Sequence, residues 1–340
     1  MAMVRLGKTG LEVEKNAFGA LPIQRVSHEE AANLLCKAYN AGINYFDTAR
    51  SYTDSEEKMA MALGDVRHKI VISTKTMAKN AGELWEQLET SLRTLKTDYI
   101  DLYQLHNIQF VPQPGGEDGL YDALAKAKQQ GKIRHFGVTA HKIFLAEEAV
   151  RSGLYETLQF PLSYLADERD VGLVRLCEEE DVGFIAMKGL SGGLITNSAA
   201  ASAYINQFPF VVPIWGVQRE WELDEFLSYI DNPPVLTAEL QRAIDIDRAE
   251  LAGEFCRGCG YCMPCPVNIE LNMAARMSQF IRRMPSGPQL TEEAQEKMHR
   301  IKNCLHCGQC ISRCPYGLNT PELIAKSYGD YLEILAGKEI

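Results

Sequence analysis

Eight short runs rich in β-branched and aromatic residues recur along the first two-thirds of the chain, each followed by a stretch of helix length. They are KNAFGALP (15–22), NYFDTA (44–49), KIVIST (69–74), YIDLYQLH (99–106), IRHFGVTA (133–140), YETLQF (155–160), VGFIAM (182–187) and FVVPIWG (210–216). HEEAANLLCKAYNAG (28–42) and AGELWEQLETSLRTL (81–95) typify the helical intervals. Strands that alternate with helices pair in parallel, and eight such units in this length predict a closed (β/α)8 TIM barrel, an α/β fold. A doubly wound sheet is the rival. It calls for G-x-G-x-x-G after a strand, and neither that spacing nor G-x-x-x-x-G-K-[ST] occurs. The opening MVRLGKTGLEVEKN reads as a hairpin turning at KTG, placed to cover the barrel's floor.

After DNPPVL (231–236) the texture changes to helices and cysteines. The predicted division is a barrel over 1–240 and a helical, ferredoxin-like domain over 241–340. In the last helix, Asn319 or Thr320 is the expected cap and Pro321 the first helical residue. Eight of the ten cysteines fall in two crowds, CRGCGYCMPCP (256–266) and CLHCGQCISRCP (304–315). Such spacing favours metal ligation over disulfides. Cys304, Cys307, Cys310 and Cys314, followed by Pro315, match C-x2-C-x2-C-x3-C-P, the bacterial ferredoxin run. Cys256, Cys259, Cys262 and Cys265, followed by Pro266, differ only in a last gap one residue shorter.

In that pattern three close thiolates hold one 4Fe-4S cluster and the fourth reaches its neighbour. The rule assigns Cys256, Cys259, Cys262 and Cys314 to one cluster, and Cys304, Cys307, Cys310 and Cys265 to the other. Two zinc sites are the alternative, but they leave surplus thiols and both Cys-Pro endings without a role. The helical spacer between the crowds resembles the α-helical ferredoxin arrangement. Cys36 and Cys177 sit inside barrel helices and read as packing residues.

The formal net charge of −10 argues against a nucleic-acid partner. No apolar run approaches the ~18–20 residues that cross a bilayer, and MAMVRLGKTG lacks a signal-peptide layout. A soluble, cytoplasmic protein without a membrane partner is expected.

In a TIM barrel the reactive groups gather where the strands end. Asp47 lies toward the end of the second strand and Tyr52 just beyond it, Lys75 closes the third and His106 closes the fourth. A tyrosine is a weak acid near neutrality, with an ordinary pKa of ~10. A neighbouring ammonium favours tyrosinate, and a carboxylate on the lysine keeps that ammonium charged. Tyr52 can then protonate a forming alkoxide while His106 donates to the same oxygen, an arrangement suited to hydride delivery to a carbonyl.

FDTARSY, ISTK, SLRTLKTDYIDLYQLH, GKIRHFGVT and VVPIWGV together resemble the aldo-keto reductase family, over residues 3–230. With FGALPIQRV and the cysteine-rich tail, the chain resembles the subfamily carrying a C-terminal 4Fe-4S ferredoxin-type domain. The resemblance implies Asp47, Tyr52, Lys75 and His106 as the catalytic tetrad, and NADP or NAD lying across the barrel mouth. It implies cofactor contacts at Gly19, Thr139, Gln159, Met187, Lys188, Gly216, Gln218 and Arg219, with Gln159 on the nicotinamide amide and 216–220 near the adenosine phosphates.

The chain departs from the family pattern in several places. GVTAH (137–141) stands for Gly-Val-Ser-Asn, leaving Thr139 to replace the serine. Met187 takes the position of a stacking tyrosine, and Trp215 that of a proline. Arg219 lies among Glu220, Glu222, Asp224 and Glu225, a setting unfavourable to a 2′-phosphate. Lys188 reads either as a solvated lysine or as a contact to a substrate or phosphate anion.

Three functions are compatible with these residues. In the first, the barrel reduces a carbonyl or oxidises an alcohol, and two 4Fe-4S clusters exchange electrons with a ferredoxin or flavoprotein partner. A flavin is then a further candidate cofactor, as converter between one- and two-electron chemistry. In the second, the clusters are structural or redox-sensing. In the third, the protein is an electron-transfer module whose barrel serves as a binding platform.

Overall fold

The computed structural model describes residues 2–251, 255–283 and 286–338. An antiparallel pair, β1 (Met3–Arg5) and β2 (Glu12–Glu14), opens the chain. Eight strands follow: β3 (Ala17–Gly19), β4 (Tyr45–Asp47), β5 (Val71–Thr76), β6 (Ile100–Leu105), β7 (Ile133–Thr139), β8 (Thr157–Pro161), β9 (Gly183–Met187) and β10 (Val212–Gly216). They close in chain order, with β10 pairing back to β3 and every neighbour parallel. This is the predicted TIM barrel. Each observed strand overlaps one of the eight predicted runs, because strands covered on both faces read as near-continuous apolar stretches.

The barrel helices are α1 (His28–Asn40), α2 (Ser55–Leu63), α3 (Ala81–Leu95), α4 (Leu120–Gln129), α5 (Ile143–Arg151), α6 (Glu168–Glu179), α7 (Ser198–Ile205) and α8 (Glu220–Asp231). Their starts are written locally. Ser27 and Glu30 form a capping box on α1, Asn80 accepts from the Glu83 amide on α3, and Asp167 accepts from two amides on α6.

The opening hairpin covers the floor. Val4, Leu6 and Val13 pack in one apolar cluster with Ala17, Tyr45, Val71 and Val212, the first residues of four barrel strands. Gly7 makes the turn at φ +53, and a Cβ there would lie 2.2 Å from the Gly183 nitrogen, so only glycine fits.

The chain divides into two compact units: residues 1–189 with 202–236, and residues 190–201 with 237–340. The second contains α9 (Ala238–Glu250), α10 (Leu271–Ala274), α11 (Met277–Arg283), α12 (Glu292–His299), α13 (Gln309–Ser312) and α14 (Thr320–Leu335). Its core includes Ile269, Leu271, Met298, Ile324 and Tyr331, together with the thiols of Cys262 and Cys310. Asn319 stands at the N-cap of α14 but makes no side-chain capping bond; its amide donates to Glu322 instead, and Pro321 is the second helical residue. No described helix is long and apolar enough to cross a membrane.

Gly137 of β7 shows how closely the barrel strands approach. A Cβ there would lie 2.0 Å from Thr157 Oγ1 and 2.6 Å from the Thr157 carbonyl oxygen. All three tryptophans, Trp85, Trp215 and Trp221, lie in the barrel unit and report its unfolding. Gly137→Ala is expected to destabilise the barrel by about 2 kcal/mol or more, read from urea unfolding followed by tryptophan fluorescence. Unchanged stability would contradict this packing.

Candidate active site and cysteine nests

Asp47 ends β4 and Lys75 is the penultimate residue of β5; both are buried. Lys75 Nζ donates to Asp47 Oδ2 at 2.6 Å and to the Thr48 carbonyl at 2.7 Å. The other carboxylate oxygen of Asp47 accepts from Ser73 Oγ at 2.5 Å, and Tyr45 Oη donates to Ser73 Oγ at 3.1 Å. Burial pushes the Lys75 ammonium below its ordinary pKa, while Asp47 pulls it back toward the charged form.

Two of the three ammonium hydrogens are thus spent inside the barrel. The ammonium lies 5.3 Å from the centroid of the Tyr52 ring. Tyr52 reaches it from the loop between β4 and α2, which is laid along β5 by backbone bonds from Thr48 to the Ser73 carbonyl and from Arg50 to the Lys75 carbonyl. Glu56 of α2 braces the same loop. Buried, it pairs with Arg50 and accepts from Thr74 and Ser91, both at 2.7 Å.

His106 follows β6 directly, its amide bonded to the Thr76 carbonyl. Its ring meets Tyr52 edge-on at 5.8 Å between centroids, with Nδ1 3.4 Å from Ser51 Oγ. The residue is half-buried. Burial, with the Lys75 charge beside it, pushes the imidazolium down to about 3, so the ring is neutral near pH 7. The fold therefore gathers Asp47, Tyr52, Lys75 and His106 at the C-terminal ends of β4, β5 and β6.

The cofactor candidates lie on neighbouring strand ends. Gln159 is buried on β8, and its Oε1 accepts from Gln104 Nε2 at 3.0 Å. Thr139 Oγ1 accepts from the Asn107 amide at 2.7 Å, so its oxygen helps hold the loop after β6. Met187 ends β9, and Lys188 follows with φ +59. Gly19 and Gly216 are register partners on β3 and β10. Trp215 is buried, stacked on Phe226 at 4.5 Å, and donates from Nε1 to Asn16 Oδ1 at 2.9 Å.

Beyond β10 the amides of Gln218 and Arg219 both point at Glu222 Oε2, each at 3.0 Å. Lys37, the nearby cation from α1, is held by Glu220 at 2.7 Å and Asp224 at 2.6 Å. The donors at this helix start already face carboxylates of the chain itself.

In the second unit the thiols fall into two groups. Burial pushes the Cys256 thiol up and the Cys262 thiol up to about 12, with Cys259 and Cys314 adding to both. Cys310 is raised by burial, with Cys304 and Cys307 adding to it. Cys265, Cys304, Cys307 and Cys310 line one pocket with Pro266, Val267, Leu271 and Leu305. The two cysteine segments are bonded to one another: Gln309 Nε2 donates to the Pro264 carbonyl at 2.8 Å. Among the described residues, no three or more His, Cys, Asp or Glu side chains close on a single metal-ion position. Cys177 is buried in α6 with its thiol pushed up by burial, and Cys36 Sγ faces the Ala62 carbonyl at 3.5 Å.

Several supporting residues carry no sequence signal. Ser73, Glu56, Gln104 and Asn16 act through partners distant in the chain. Arg276 lies in the helical spacer between the cysteine crowds, where an arginine is unremarked.

Comparison with known proteins places these features. A model of the aldo/keto reductase family matches residues 15–241, and a model of a 4Fe-4S dicluster domain matches residues 255–319. An uncharacterised oxidoreductase of Bacillus subtilis, YqkF, is 30% identical over 211 residues, which cover 56% of this chain and 66% of that protein. L-galactose dehydrogenase of Arabidopsis thaliana is 29% identical over 210 residues, with the same coverage of 56% and 66%. The chain thus spans just under two-thirds of the length of these two relatives. An aldo-keto reductase from Klebsiella pneumoniae, solved in complex with NADPH, shares the barrel at a TM-score of 0.62 and 21% identity, over 72% of this chain and 94% of that one. With its family match running the length of the closed barrel, the chain belongs to the aldo/keto reductase family.

Proposed function

We propose that the barrel is a nicotinamide-dependent oxidoreductase acting on a carbonyl or alcohol, with Tyr52 as general acid and base. The observation that carries this reading is the buried Lys75 ammonium, fixed by Asp47 at 2.6 Å and set 5.3 Å from the Tyr52 ring. A positive charge so near a phenol favours its ionised form and lowers its pKa toward neutrality. In the reductive direction a bound nicotinamide supplies the hydride that reaches the carbonyl carbon. Tyr52 gives its proton to the carbonyl oxygen as the C–H bond forms, and the resulting tyrosinate rests beside Lys75 until solvent reprotonates it. His106, neutral and with Nδ1 turned to Ser51, offers Nε2–H to the same oxygen.

The residues fit the cofactor unequally along its length. At the nicotinamide end, Gln159 retains amide hydrogens to donate, since only its oxygen is engaged by Gln104 in the bond described. At the adenosine end, Glu222 holds the amides of Gln218 and Arg219, and Lys37 is paired twice. A 2′-phosphate would compete with those carboxylates, so NADH is the proposed cofactor over NADPH.

For the C-terminal unit we propose two 4Fe-4S clusters, one on Cys256, Cys259, Cys262 and Cys314 and the other on Cys265, Cys304, Cys307 and Cys310. The support is the grouping of the thiols, an all-sulfur donor set in apolar surroundings, and the dicluster-domain match. The clusters would exchange single electrons with a ferredoxin or flavoprotein, a flavin converting between electron pairs and single electrons. A second reading has its own support: Cys262 and Cys310 belong to the core of the unit, so the clusters would also hold it folded.

Three measurements test this function. Tyr52→Phe is expected to lower kcat by about 10²–10⁴-fold while nicotinamide binding, read by fluorescence, is kept; sustained turnover would overturn the assignment. NADH should exceed NADPH in kcat/KM by about tenfold or more, and Glu222→Ala should narrow the gap. The reverse preference in the native protein would contradict the role given to Glu222. Because His106 takes up its proton only near 3, its ring resonances should not move between pH 8 and 5. Folding stability is linked in the same sense: the unfolded chain binds this proton below about 6.5, so the contribution is full above that pH and is lost as pH falls toward 3. A ring titration near 6.5 would show that the site is open to water.

A further inference from the structure

Arg276 sits in the turn between α10 and α11 and is 5% exposed. Its guanidinium makes no pairing with a carboxylate among the described residues. Nε donates to the Asn272 carbonyl at 2.9 Å and Nη1 to the Gly192 carbonyl at 2.7 Å, while the group lies over the Phe280 ring at 4.5 Å. Gly258, between these two cysteines, is at φ +65, and a Cβ there would lie 2.5 Å from Arg276 Cζ and 2.6 and 2.7 Å from its terminal nitrogens. Gly192 is also at positive φ, with a built Cβ 2.8 Å from Nη1. The guanidinium is thus laid against the backbone of the cysteine loop, in space that two glycines leave open.

A buried cation is costly unless an opposite charge compensates it. Laid against Gly258, between Cys256 and Cys259, Arg276 stands where negative charge on this cysteine loop would compensate it. The benefit is mutual: a charge that stabilises thiolates also stabilises an electron added to a cluster they bind. We propose that Arg276 is a positioning and tuning residue that raises the reduction potential of the cluster on Cys256, Cys259, Cys262 and Cys314. The step is the entry of one electron from an external one-electron donor; no covalent bond forms or breaks. The geometry singles out one cluster of the two, because Gly258, against which the guanidinium lies, is set between Cys256 and Cys259.

This inference rests on the ligand assignment proposed above, and the two fail in different ways. Native protein purified anaerobically without iron and sulfide would remove both. With clusters present, a dithionite potentiometric titration followed by electron paramagnetic resonance tests the role of Arg276 alone, in the full chain. Arg276→Gln and Arg276→Met should weaken the electron affinity of one cluster at least tenfold, a fall of about 59 mV for a one-electron couple, and leave the other in place. Arg276→Lys keeps the charge but withdraws it from Gly258, and should give a smaller fall in the same direction. If the neutral variants fail to retain iron, the lysine variant decides. Unchanged potentials in a variant that holds both clusters would overturn the proposal, as would equal falls in both clusters.

Discussion

The arrangement of the barrel mouth depends on one buried ion pair, Lys75 with Asp47. An ammonium inside a barrel is unfavourable by itself, and removing one partner of such a pair leaves the other uncompensated. The chain meets that cost with a connected set of donors and acceptors: Lys75 to Asp47 and to the Thr48 carbonyl, Ser73 to Asp47, Tyr45 to Ser73. Adjacent strands supply these groups in register, Asp47 opposite Ser73 and Lys75 opposite Gln104. The charge is therefore placed by the sheet rather than by a flexible loop. The loop that carries Tyr52 is then bonded onto the same strand, which keeps phenol and ammonium together.

The second unit solves a different problem. Four of its six described helices, α10 to α13, have eight residues or fewer, and its core mixes ordinary aliphatic residues with the thiols of Cys262 and Cys310. Thiols raised by burial and by each other are poor thiolates in the absence of a cation. Binding to iron would relieve that strain, linking cluster assembly to folding of the unit. On the proposed ligand assignment, structural and electron-carrying roles are compatible properties of the same eight sulfurs.

The barrel was legible because its strands are covered on both faces and its helix starts carry their own caps, as at Ser27 and Asp167. The gathering of Asp47, Lys75 and His106 at one end of the barrel was legible because each falls at or beside a strand end. What escaped was the set of supporting contacts behind those strand ends. The bond from Trp215 to Asn16, the Gln104–Gln159 pair and the bond from Ser91 to Glu56 have no local periodicity to announce them. The acidic surroundings of Arg219 were visible as composition, but the capture of two amides by Glu222 required coordinates. Nor does any spacing rule show that residues 190–201, which follow a barrel strand, pack as part of the second unit.

The acid–base role proposed for Tyr52 requires the ammonium of Lys75 to change the acidity of its phenol. The direct measurement is a pH titration of the protein carrying ¹³Cζ-labelled tyrosine, with the Tyr52 resonance identified by its loss in Tyr52→Phe. In the native protein this phenol should ionise below the ordinary tyrosine value of ~10, and in Lys75→Met it should return to that value or above it. A Tyr52 titration that is the same with and without the lysine charge would contradict the account.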